Sequence, residues 1–161
     1  MKSSLRKPFA AGLAAGITLN LIMLLTFRLI GFGWNGGGIL LDPSIQSVKV
    51  IAVWTQIEPL PLIIANPVPM ILGLIVFGIG HAFIYQWLAI SWPHGIKARA
   101  FRMALLIFFF SFLFWEFFTP YNLFGEPTLL IGLELIFWAT IAVSEGFVIA
   151  TVFEMGPEQL W

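Results

Sequence analysis

Residues 127–154 read PTLLIGLELIFWATIAVSEGFVIATVFE. The stretch is long enough to cross a membrane as one helix, which takes about 20 apolar residues at ~1.5 Å each. Two carboxylates, Glu134 and Glu145, stand well inside its apolar length. A carboxylate in hydrocarbon is costly, so such residues face a protein interior, a partner charge or water. The rest of the chain is therefore expected to supply partners for these two acids.

Composition agrees with lipid as the solvent. Of 161 residues, 60% are hydrophobic and 10% charged, against about half and a quarter in soluble domains. In lipid only helices and closed barrels satisfy their own backbone. The apolar runs are long and continuous instead of alternating, which selects helices. The formal net charge is zero, so no basic surface points to nucleic acid. The absence of cysteine removes disulfides, thiolate nucleophiles and iron–sulfur ligands.

Proline and glycine chemistry divides the chain into four spans, at about 8–30, 67–92, 97–119 and 127–154. The fold class expected is an all-α integral membrane protein, a single multi-pass domain. The amino-terminal MKSSLRKPFAAGLAAG has the basic start of a signal peptide. Its apolar part, 9–30, exceeds a signal h-region of about 7–15 residues and reads as a retained first helix. On that helix Gly12 and Gly16 form a GxxxG pair, the spacing that lets two helix backbones approach closely. Pro93, Pro120 and Gly156-Pro157 read as helix stops.

Between the first two spans lies an irregular segment, 31–66. Gly31, Gly33 and Gly36 match G-x-G-x-x-G formally, but no strand precedes them and no βαβ unit follows, so no dinucleotide site is read there. Asp42-Pro43-Ser44 reads as a helix start, and 43–57 as an interfacial or re-entrant helix with Trp54 as anchor. A lid over a site between helices and a plain connector are both open. Glu58 and Asp42 are candidates to complete a polar pocket on this loop.

Lys2, Arg6 and Lys7 precede the first span, and Lys97, Arg99 and Arg102 mark the connection of the second to the third. Only Lys49 lies clear of the membrane on the other side. The positive-inside rule then expects both termini in the cytoplasm of a plasma or inner membrane, with Trp92 and Trp161 at the inner boundary and Tyr121 at the outer.

Depth along the helices predicts two polar levels. By helical rise, Arg28 lies about 12 Å, and Glu116 and Glu134 about 9 Å, outward of mid-span. One arginine and two carboxylates from three helices are expected to meet as a buried cluster. Asn20, His81, Thr140, Ser144 and Glu145 form a candidate polar track for protons, with Asn20 and His81 midway and Glu145 farther in. No basic residue is placed at the depth of Glu145.

A neutral imidazole suits haem iron or chlorophyll magnesium, and the aromatic run LLIFFFSFLFWEFF (105–118) would suit a pigment or quinone. His81 lacks a second spaced ligand, so the expectation is no bound cofactor and no metal. No catalytic motif stands out either. Three functional classes remain: a non-enzymatic protein that associates with itself or with other membrane subunits, a small proton-coupled carrier using Glu134, Glu145 and His81, and a binder of quinone, lipid or tetrapyrrole, with or without intramembrane enzyme chemistry.

Overall fold

The computed structural model describes residues 5–155. Lys2, Trp161 and Gly156-Pro157, assigned above to charge bias, membrane anchoring and a helix stop, lie outside the described residues. Four helices are long and apolar enough to cross a membrane: α1 (Arg6–Gly31), α4 (Val68–Ser91), α5 (Ile96–Leu123) and α6 (Thr128–Glu154). Two short helices, α2 (Val48–Thr55) and α3 (Leu62–Ala65), lie in the connection between α1 and α4. Among the described residues there is no strand.

The bundle closes where side chains are smallest. A Cβ on Gly12 would sit 2.3 Å from the Ile79 Cα, and one on Gly16 2.5 Å from the Ile75 Cα. Gly78 returns the contact, since its Cβ would meet the Gly16 nitrogen at 2.6 Å. The expected glycine face of α1 therefore lies directly against α4, with backbone touching backbone. On the other side of the bundle Gly146 of α6 presses on α5, its Cβ position 2.7 Å from the Ala100 carbonyl oxygen. Ala11, Ala15, Leu19, Ile107, Ile141 and Ile149 fill the interior with almost no exposed surface.

Two sequence expectations are corrected. Pro120 does not end its helix: α5 continues to Leu123 because Phe117–Leu123 is a π-helical turn with Pro120 inside it. A widened i→i+5 turn makes room for the proline ring, whose clash with the i−4 carbonyl breaks a regular α-helix. The helix of the connecting segment begins later than Asp42. Asp42 instead caps a local turn, its Oδ1 accepting from Ser44 N at 2.9 Å and Ser44 Oγ at 2.7 Å. Ser47 is the N-cap of α2, its hydroxyl accepting from Val50 N at 3.2 Å.

Candidate functional site

The polar interior divides into two levels. One lies at the end of the bundle that carries the 31–66 segment, here the loop end. The other lies toward the basic end, where α4 turns into α5.

At the loop end three carboxyl groups converge. Glu116 of α5, Glu134 of α6 and Glu126 of the turn between them are all buried, with one oxygen from each within 4.8 Å of the others. Local structure explains each position. Glu116 lies between two π-helical stretches, Phe108–Leu113 and Phe117–Leu123. Each wide turn absorbs an extra residue and re-aims those after it, so Glu116 points inward while Phe114, Phe117 and Phe118 stay outside. Gly125, at φ +63°, reverses the chain. A left-handed conformation is cheap only for glycine, and it folds Glu126 back under the turn, with Glu126 N bonded to the Pro120 carbonyl at 3.1 Å.

The donors around these carboxyls are neutral. The Trp138 indole N–H donates to Glu116 Oε2 at 2.8 Å. Phe112 stacks on the same indole at 4.4 Å and Phe27 leans on it at 4.5 Å, which fixes its direction. The Gln46 amide donates to Glu126 Oε1 at 2.6 Å and to the Leu40 carbonyl at 3.0 Å, while its own oxygen accepts from Ser47 N. Ser47 Oγ donates to the Phe124 carbonyl at 2.7 Å. Leu40, fully buried beside Gly31, completes the roof. Through Gln46 the segment before α2 thus reaches the Glu126 carboxyl. Burial pushes the Glu126 carboxyl above its usual range, against the Gln46 bond that lowers it.

Arg28 is not part of this cluster, contrary to the depth estimate. Its guanidinium turns outward at the end of α1, donating to the Gly33 carbonyl at 2.6 Å and the Trp34 carbonyl at 2.7 Å, with the Trp34 ring 5.4 Å away. Carbonyls just past a helix C-terminus are a good site for a cation, and these are closer in sequence than any carboxylate. Glu126 takes the place expected for the arginine. Asp42 and Glu58 are exposed and stay on the loop surface.

Toward the basic end, His81 Nδ1 lies 2.8 Å from Glu145 Oε1, both buried, with the Phe77 ring edge-on to the imidazole at 4.3 Å. Glu145 therefore has the partner that depth had denied it. Farther along, Arg99 pairs with Glu154 and donates to the Pro93 carbonyl at 3.2 Å.

The rest of the expected track is dispersed. The Asn20 amide bridges Gly16 O at 2.8 Å and Ile71 O at 3.3 Å, joining α1 to α4 well away from His81. The Gly12–Ile79 and Gly16–Ile75 contacts show why: antiparallel helices carry Asn20 toward Ile71 as His81 moves the other way. The Thr140 hydroxyl is exposed and bonds the Ile136 carbonyl, and Ser144 is only half-buried, a helical position of about 100° from Glu145. Between the two levels, Leu19, Ile107, Phe137 and Ile141 are packed without exposed surface of consequence. The eleven residues from Glu134 to Glu145 span about 16 Å of helix.

Apart from Phe112, which stacks on Trp138, most of the aromatic run of α5 faces outward. Phe109, Leu113, Phe114, Phe117 and Phe118 line a shallow open groove that ends at Asn122.

Sequence reasoning missed Glu126, Gln46 and Trp138. The available signal was that Glu126 is the lone acid in the otherwise uncharged turn YNLFGEP, directly between two acid-bearing helices. Comparison with protein-family models, curated proteins and solved structures finds no match to this chain.

Proposed function

We infer that this is a small carrier of protons or cations in a plasma or inner membrane, with its loading site at the three buried carboxyls. The observation that carries the reading is that Glu116, Glu126 and Glu134 converge in a buried space where the donors among the described residues are neutral. Like carboxyls in a dry interior cannot all ionise alone; they take up protons or a cation. Nothing in the arrangement calls for catalysis.

The charge distribution supports an orientation with the loop end outside and both termini in the cytoplasm. Arg6, Lys7, Lys97, Arg99 and Arg102 gather at one end, with Lys49 at the other. Glu134 would then load from the outer side. The His81–Glu145 pair is a second titratable station about 16 Å inward, and the apolar block between them is the barrier that separates a carrier from an open pore. Movement between stations requires that block to open.

The test is transport in proteoliposomes carrying an internal pH dye. Wild-type vesicles are expected to dissipate an imposed pH or cation gradient faster than protein-free vesicles, and Glu134→Gln to slow this toward the protein-free rate. Wild type no faster than protein-free vesicles under both gradients overturns the reading.

A second reading, a subunit that associates with copies of itself or with other membrane proteins, draws on the α5 groove. Its apolar wall ends in a polar side chain, Asn122, of the kind that joins helices in lipid. Native mass spectrometry in detergent separates the two, since a monomer removes self-association.

A further inference from the structure

A buried polar side chain with one idle atom shows by its chemistry what is missing, and His81 is such a residue. Its Nδ1 lies 2.8 Å from Glu145 Oε1, and the other Glu145 oxygen is buried without a partner. The second ring nitrogen, Nε2, makes no hydrogen bond among the described residues, yet the imidazole is not sealed in, since 9% of the side chain stays exposed.

Charge balance fixes the role of that nitrogen. In hydrocarbon the pair is held neutral overall, because a net charge there is costly. A protonated Glu145 beside a neutral ring achieves this, and so does a carboxylate beside an imidazolium. In both arrangements Nε2 carries a hydrogen. It is a donor without an acceptor, which is expensive to leave unpaired.

The surroundings restrict the acceptor. α4 packs chiefly against α1, and α5 against α6, with no extended packing between α4 and α5. Phe77, Ile84 and Leu88 share the His81 side of α4 by helical spacing, and they remain between 38% and 42% exposed. Gly80 adds no wall, since nothing lies within 4 Å of its Cβ position. His81 thus sits at the edge of a lipid-facing flank. It is ten residues from Ser91 and thirteen from Val68, about 15 and 20 Å from the ends of the span. Phospholipid ester carbonyls stay at the headgroup boundary, and the bilayer core holds no bulk water. The acceptor must itself dissolve in hydrocarbon and carry a carbonyl on an apolar body.

We propose that His81 Nε2 donates to a ring carbonyl of a lipid-soluble quinone lodged against Phe77, Ile84 and Leu88 of α4. The flat ring can pack on Phe77, which already meets the imidazole edge-on at 4.3 Å. Glu145 holds the imidazole from behind and does not touch the ligand. The proposal does not rest on the carrier reading: it uses the one atom of the inner station that proton storage leaves idle.

The chain has two histidines, His81 and His94, so selective ¹⁵N-histidine labelling reads the site directly. The full chain in lipid nanodiscs is titrated with decylubiquinone, with empty nanodiscs as the partition control. His81 Nε2 is expected to carry a hydrogen and to shift saturably at one quinone per chain, while His94, on an exposed turn, stays unshifted. The double variant His81→Leu/Glu145→Leu, with folding checked by its melting curve, should bind about tenfold or more weakly, the scale of a lost hydrogen bond. His94→Gln should bind as wild type. An Nε2 without a hydrogen overturns the proposal. So does quinone uptake no greater than in empty nanodiscs, or unchanged uptake in the folded double variant. Displacement by an equal concentration of oleic acid overturns the quinone class, since any carbonyl would then serve. Proton transport without saturable quinone uptake keeps the carrier and removes the quinone site, and uptake without transport does the reverse.

Discussion

The two buried polar levels solve the same problem in opposite ways. Toward the basic end each acid has a base: Glu145 has His81 and Glu154 has Arg99. At the loop end three acids share a space with an indole, an amide and each other. The first level closes its charge within the chain. The second holds its acids with neutral donors and with one another, and that difference is what makes it our candidate site. Burial by itself does not distinguish them, because Glu116 and Glu145 are both fully enclosed.

The comparison breaks most visibly at His81. His81→Leu leaves the carboxylate of Glu145 buried without its base, and stranding one member of a buried pair costs about 3 kcal/mol. The double variant His81→Leu/Glu145→Leu should recover most of that loss, because an apolar pair of similar volume needs no desolvation. Thermal unfolding in detergent reads both. Equal stability of single and double variants would show that the pair is not coupled.

A middle-sized effect should appear with pH at the loop end. The Glu126 carboxyl is raised above its ordinary value of 4.5, so the folded state holds a proton that the unfolded chain has released. Its contribution is then most favourable below about pH 4.5 and is lost as pH rises through the raised value. Melting curves across about pH 4 to 8 should show this fall, and Glu126→Gln should flatten it. An unchanged slope in the variant would move the titration to another group.

The smallest effect is expected at Arg28. Its bonds run to the Gly33 and Trp34 carbonyls at an exposed position. Arg28→Leu should cost about 0.5 kcal/mol and leave transport unchanged. A large loss of transport would return the arginine to the carboxyl site.

Much of the architecture was legible in the chain. Helix lengths, the four spans, the Gly12 and Gly16 face and the shared level of Glu116 and Glu134 follow from hydropathy, small-residue spacing and a constant rise per residue. Depth is a one-dimensional quantity, and a straight helix preserves it. Direction around the axis is another matter. The wide turns flanking Glu116 and inside the last turns of α1 rotate side chains without changing composition, so Arg28 could be placed at the right height and still face away.

The sequence by itself determined a bundle of four apolar helices with acids buried in it, because lipid-length hydrophobic runs and their proline and glycine boundaries are local facts. Tertiary structure decided which acids meet and what they meet. Glu126 enters the site through a left-handed turn at Gly125, Gln46 arrives from eighty residues away in the chain, and His81 reaches Glu145 across two helices. Each of those encounters depends on how helices pack and how a loop folds over them, and no stretch of sequence carries that information alone.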